Sequence, residues 1–109
     1  MKTEFKEIIL ESGEPAVSFV IRTNKGICGG LFNKEDNRIF VHLIEGEGAV
    51  KGLMNILINR FKTNKITFTP LINDNVKNHI RGEVKIMKAD SPLNPYGEPF
   101  EYLECEWNG

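Results

Sequence analysis

The residues best suited to chemistry lie in one short loop, in which two glycines alternate with other residues. Residues 40–44 are mostly apolar, Gly46 and Gly48 follow them, and apolar residues recur at helical spacing from Leu53 onward. A strand that runs through a Gly-x-Gly loop into a helix presents backbone N–H groups at the helix start, where they can bind an anion such as a phosphate. The same pattern also forms tight turns that bind no ligand.

Two side chains close to this loop could act as bases. Glu45 stands at the end of the apolar run and could deprotonate an amine directly or through a water molecule. His42 lies three residues earlier, and its imidazole could also serve as a base. The alternatives are a solvated loop carboxylate and a hydrogen-bonded strand histidine, which are the commoner situations for these residue types.

The rest of the chain supplies the elements that would position this loop. Apolar patterning predicts strands over residues 3–10, 16–22, 27–32, 38–44, 65–71, 83–88 and 100–107. Helical spacing predicts an amphipathic helix over 49–62, and a second, short helix starting at 73–75 and ending near 81–82. Asn24 and Gly26 predict a hairpin turn because both tolerate positive φ, and Gly29-Gly30 predicts a bulge or close backbone approach. We therefore expect one α+β domain over residues 1–109, a mixed, mostly antiparallel twisted sheet of six or seven strands with two helices.

The order of these elements, together with the loop, resembles the GNAT acetyltransferase superfamily. That family carries Arg/Gln-x-x-Gly-x-Gly/Ala after its fourth strand and then a helix with a Leu-Leu-like pair. Gly46, Gly48 and the Leu53-Met54 pair match this signature. The resemblance implies a trimmed GNAT-like fold that binds acetyl-CoA or another acyl-CoA and transfers the acyl group to an amine, with Glu45 or His42 as the base. The residues implied to contact the cofactor are Leu43, Gly46, Gly48, Ala49, Val50 and Lys51.

Four departures from the family pattern favour a second hypothesis. Glu45 stands where the family has Arg or Gln, and Val50 stands where it has a small residue. The second predicted helix contains no tyrosine, which in many members protonates the departing thiolate, and a short turn at 11–15 replaces two helices of the acceptor site. In this alternative the protein is a catalytically inactive protein-binding module, such as a small phage-type regulator or inhibitor, that acts through its sheet edges and the loop at 89–99.

Composition and charge restrict the partners. The net charge of −1 and the absence of helix-turn-helix, zinc-ligand or aromatic-stripe patterns argue against nucleic-acid binding. No apolar run is long enough to span a membrane, and no signal-peptide pattern opens the chain. Cys28 and Cys105 are expected to be buried free thiols in the cytoplasm. Basic residues concentrate at 51–88 and acidic residues at 89–109, so the last strand could attract a cationic amine. A long exposed edge strand would be compatible with a homodimer.

Overall fold

The computed structural model describes residues 1–46, 48–69, 83–88 and 98–107. These residues form seven strands and one helix. In chain order they are β1 (Lys2–Ile9), β2 (Pro15–Arg22), β3 (Ile27–Asn33), β4 (Arg38–Glu45), α1 (Val50–Phe61), β5 (Lys65–Phe68), β6 (Glu83–Met87) and β7 (Phe100–Glu106). Every predicted strand and the first predicted helix are confirmed, with bounds that differ by no more than three residues.

The seven strands form a single sheet in the order β1-β2-β3-β4-β5-β7-β6. Strands β1 to β4 are an antiparallel meander, because short turns connect them and leave no length for a crossover. The chain then passes through α1 and returns as β5, which pairs in parallel with β4. β7 lies antiparallel to both β5 and β6. β1 and β6 are therefore the two edges of the described sheet.

The predicted irregularity at Gly29-Gly30 is confirmed. Gly29 lies opposite Leu43 and Gly30 lies opposite Val41, so β4 has one residue, His42, more than β3 at this point. A bulge of this kind bends the strand and redirects the extra side chain. His42 accordingly lies exposed.

The core lies between one face of the sheet and α1, which packs against β3 and β4. In α1 the buried side chains are Leu53, Met54 and Leu57, the spacing of one helical face. They meet alternate residues of the central strands, among them Phe19, Ile21, Cys28, Ile39, Val41, Ile66 and Leu103. The two buried cysteines are free thiols, as predicted.

Aromatic rings close the core beneath the end of α1. Phe61 stacks on Phe32 with ring centroids 4.5 Å apart, and it contacts Phe5 and Phe19 with centroids 5.8 Å apart. The guanidinium of Arg60 lies 4.6 Å from the centroid of the Phe5 ring. This cluster joins the outermost strand, β1, to the helix.

The predicted fold class is wrong. We expected an α+β fold with two helices, arranged like a trimmed GNAT domain, whereas the described residues are mainly β, a seven-stranded, mostly antiparallel sheet with a single helix. The second helix was predicted within residues 73–82, which lie outside the described part of the chain. Trp107, just after β7, is half-buried against the core, and its Nε1 donates a hydrogen bond to Asn55 Oδ1 at 3.2 Å.

Candidate functional site

A cavity of about 400 Å³ opens beside the start of α1. One wall is the turn between β2 and β3, and the other is the first part of α1 with the loop before it. The lining residues are Thr23, Asn24, Lys25, Gly48, Ala49, Lys51, Gly52, Leu53, Asn55 and Ile56. The two lysines stand on opposite walls, so the cavity carries positive charge on both sides.

The hairpin turn is held by its own hydrogen bonds. The Thr23 N–H donates to the Gly26 carbonyl at 2.8 Å, and the Thr23 hydroxyl accepts from the N–H groups of Lys25 and Gly26 at 3.2 Å each. The turn was predicted correctly, but for the wrong reason, because neither Asn24 nor Gly26 has a positive φ. Gly26 is needed because a Cβ there would overlap the Glu45 carbonyl oxygen. The turn therefore lies directly against the end of β4.

The first turn of α1 has donors available for a ligand. Ala49 is the N-cap residue, and it has no side-chain oxygen that could accept from the first free N–H groups of the helix. No acidic residue lies in the first turn itself, so no carboxylate within that turn opposes the positive end of the helix dipole. Lys51 and Gly52, in this turn, both line the cavity. Backbone donors, the helix dipole and two lysines would all favour an anion.

The two loop glycines have different structural roles. Gly46 has a φ of 122°, and a Cβ at this residue would lie 2.6 Å from the Gly26 Cα and overlap the Lys25 carbonyl oxygen. Packing inside the protein therefore explains Gly46 without a ligand. Gly48 has a φ of 70°, and a Cβ there would meet nothing within 4 Å. Gly48 sets the direction of the chain into α1 and leaves open space in front of its backbone.

The predicted bases lie on β4 outside the cavity wall. His42 is exposed, and its Nδ1 lies 2.9 Å from the Thr69 carbonyl oxygen. A carbonyl can only accept, so this hydrogen bond places the proton on Nδ1 and leaves Nε2 as a base. Glu45 is also exposed and pairs with Ile27 at the end of the β3–β4 ladder. Three residues of a regular strand span about 10 Å, so the backbones of His42 and Glu45 lie at most about that far apart along β4.

The cavity contains three of the six predicted cofactor residues: Gly48, Ala49 and Lys51. The other three do not line it: Leu43 and Val50 are half-buried, and Gly46 is exposed. Glu47 lies outside the described residues.

The sequence analysis missed the opposite wall, above all Lys25. The signal was present in the predicted, mostly antiparallel sheet: when β3 and β4 pair antiparallel, the residues before β3 must lie beside those after β4. The turn at 23–26 and the glycine loop are neighbours for that reason.

The acidic last strand is partly neutralised. Lys85 on β6 donates to Glu104 Oε2 at 2.9 Å and lies 3.8 Å from Glu83. These carboxylates raise the pKa of Lys85, with the Glu104 hydrogen bond as the largest cause. A cationic acceptor at this strand would therefore compete with Lys85.

The thiols are suited to packing and not to catalysis. Burial raises the pKa of Cys28 to about 12 and that of Cys105 to about 11, the latter against a smaller opposing effect of Arg38. A thiol protonated at neutral pH is a weak nucleophile. Among the described residues, no group of three or more His, Cys, Asp or Glu side chains is placed to hold a metal ion.

Comparisons with protein-family profiles, with characterised proteins and with solved structures give no match to this chain. No comparison therefore supports the resemblance to acetyltransferases, which was drawn from the element order and the glycine loop of the sequence. In the part of the chain that the structure describes, no helix has the length and apolar character needed to cross a bilayer.

Proposed function

We propose that the protein binds an acyl-CoA through its phosphates at the cavity beside α1 and transfers the acyl group to an amine. The observation that carries this proposal is the start of α1: it has no side-chain cap at Ala49 and opens onto a cavity with Lys25 and Lys51 on its two walls. A pyrophosphate there would accept hydrogen bonds from helix N–H groups and be attracted by both ammonium groups. The setting would be the cytoplasm.

Gly48 and Gly52 support the same proposal. Both line the cavity, and a Cβ at either residue would meet nothing within 4 Å. Glycine inside a helix costs about 0.5–1 kcal/mol relative to alanine, and no contact within the described chain requires it at Gly52. Bare backbone on this wall would let a phosphate approach the N–H groups closely.

The residues of β4 would supply the proton chemistry. The amine nitrogen attacks the thioester carbonyl, so that a C–N bond forms and the C–S bond breaks. CoA leaves as the thiolate, and the proton that the base takes from the amine is passed on to it to give the free thiol. His42 Nε2 or the Glu45 carboxylate would accept the amine proton, directly or through water. The cavity and these bases lie along one strand and its following loop, so an extended ligand could reach from one to the other. Holding the amine and the thioester in line could itself supply much of the rate.

Titration calorimetry of the whole protein with acetyl-CoA and CoA tests binding. Gly48→Glu should abolish binding because its carboxylate would stand in front of the helix N–H groups. Gly48→Gln is the matched control, because it imposes the same backbone strain at the same φ but adds no charge. Its affinity for acetyl-CoA and CoA should therefore be higher than that of Gly48→Glu. Circular dichroism of both variants shows whether the fold is retained.

Transfer is read in the same samples as the release of free thiol from acetyl-CoA with a panel of primary amines. His42→Gln and Glu45→Gln should each retain binding, and the one that lowers the rate identifies the base. Absence of binding by the native protein, or equal binding by Gly48→Glu and Gly48→Gln, would refute the proposed site. Binding without thiol release would leave a CoA-binding protein and refute the transfer step.

A second candidate function is a binding module without catalysis. The observation that favours it is Gly46, which is explained by packing against Lys25 and Gly26 and so needs no ligand. Glu45 also places a negative charge near the proposed phosphate site. This candidate predicts that the native, folded protein binds neither acetyl-CoA nor CoA.

A further inference from the structure

β1 forms one edge of the described sheet and pairs with β2 along its whole length. The direction of its backbone groups follows from the β2–β3 hairpin. Because Thr23 and Gly26 form the hydrogen-bonded pair that closes the hairpin, hydrogen-bonded pairs alternate from there, and the even-numbered residues of β2 bond to β1. The even-numbered residues of β1 are their partners. The odd-numbered residues, 3, 5, 7 and 9, thus direct their N–H and C=O groups outward from the edge.

The side chains of β1 are mostly exposed and alternate in charge. Lys2, Glu4 and Lys6 lie on the face away from α1, whereas Phe5 lies on the α1 face beneath Arg60. Among the described residues the exposed large hydrophobic side chains are Met1, Ile9 and Ile86, at 82%, 71% and 67% exposure. Two of these three lie at the ends of β1: Met1 directly precedes the strand and Ile9 is its last residue.

An antiparallel pair of two β1 strands related by a two-fold axis can adopt only certain registers. Residues opposite each other must lie on the same face of the sheet, so their numbers are both odd or both even. One residue of β1 therefore lies opposite its own copy at the axis, and the choice of that residue fixes all the other pairs. An axis at Glu4 or Lys6 places like charges opposite each other. An axis at Phe5 places Glu4 opposite Lys6 of the second copy, twice.

The register centred on Phe5 also satisfies the remaining features of the edge. It pairs all of residues 1–9, and Phe5 is an outward-directed residue, so the central pair is hydrogen-bonded. The two Glu4–Lys6 pairs are then non-hydrogen-bonded pairs, in which opposite side chains lie closest. Met1 meets Ile9 of the second copy at both ends, and the two Phe5 rings extend the aromatic clusters of both protomers toward each other.

We infer that the protein is a two-fold homodimer in which β1 pairs with β1 of a second copy in this register, so that the two sheets become one. The inference does not depend on the proposed acyl-CoA site, which lies at the other end of α1 from Phe61 and the β1 edge. An edge strand of eight residues with outward backbone groups is a template for such pairing.

Sedimentation equilibrium of the full chain from about 1 to 500 μM tests the inference, with the 12.4 kDa monomer mass as the reference. We expect a mass twice that value at high concentration. Glu4→Lys and Lys6→Glu should each weaken the dimer about tenfold or more, since each converts two attractive pairs into two repulsive ones. An equimolar mixture of the two variants should dimerise again, because each supplies the charge that the other needs.

Lys2→Glu is the matched control. It reverses a charge on the same face of the same strand, but opposite Ile8 of the second copy, and it should leave the dissociation constant within about threefold of native. Circular dichroism at 1 μM shows that the separated variants remain folded. A native protein that is monomeric at 500 μM would overturn the inference. So would a dimer that Lys6→Glu leaves intact, or single variants whose mixture stays monomeric.

Discussion

Replacing Gly46 or Gly48 by alanine should have very different effects on stability. At Gly46 the φ of 122° is a conformation that L residues rarely adopt, which costs about 1–3 kcal/mol. The added methyl would also overlap the Lys25 carbonyl and force the backbone to shift, at about 1–3 kcal/mol more. At Gly48 the φ of 70° costs about 1–2 kcal/mol and the methyl enters open space. Both variants recover about 0.4–1 kcal/mol by restricting the unfolded chain. We therefore expect a loss of about 3 kcal/mol for Gly46→Ala and about 1 kcal/mol for Gly48→Ala.

Urea unfolding at pH 7 followed by circular dichroism measures this difference. With a slope of about 2 kcal/mol per M, the two midpoints should differ by about 1 M, far more than the error of the method. Equal slopes would show that the comparison reports the native state. Equal midpoints would refute the structural reasoning, because they would mean that the β2–β3 turn does not press against Gly46. A lower midpoint for Gly48→Ala than for Gly46→Ala would refute it as well.

Two further predictions concern the interior and the helix. Because burial raises the pKa of Cys28 from 9.0 to about 12, the unfolded chain ionises first. The stabilisation that the protonated thiol contributes is fully present below pH 9. As the pH rises toward 12, ionisation of this thiol lowers the free energy of unfolding by up to about 1.4 kcal/mol per pH unit. The urea midpoint should therefore fall less between pH 8 and pH 10.5 in Cys28→Ala than in the native protein. An equal fall in both proteins would contradict the raised pKa of Cys28. Gly52→Ala should raise the free energy of unfolding by about 0.5–1 kcal/mol, because the methyl meets nothing within 4 Å; a thermal melt that shows destabilisation would contradict it.

The central strands could be predicted because they bury one face. Phe19 and Ile21 in β2 alternate with residues directed at the opposite face, and the same period of two recurs in β4 and β7. The helix was equally clear, since Leu53, Met54 and Leu57 share one side of it. Trp107 is only half-buried where it packs against the core. Its indole N–H needs a partner, and Asn55 on the exposed side of α1 provides one.

The site could be predicted only on one side. Gly48, Ala49 and Lys51 were found because a loop and a helix start are continuous in sequence. Lys25 was missed because it reaches the cavity through strand pairing, twenty or more residues away along the chain. The sequence shows a glycine at position 46, but only the structure shows that the Lys25 carbonyl excludes a side chain there.

The three glycines at 46, 48 and 52 together distinguish between two interpretations of this region, a ligand site and a turn that binds nothing. Gly46 is required by a contact within the protein, and Gly48 by its φ, so neither needs a ligand to explain it. Gly52 has neither requirement, and a helix would be more stable with alanine there. If the cavity binds phosphate, the Gly52→Ala methyl would stand on the wall that the ligand approaches, and the variant should gain stability while losing affinity for acetyl-CoA. If Gly52→Ala gains stability with no change in any ligand affinity, the wall is not used, and the binding module becomes the better account of this fold.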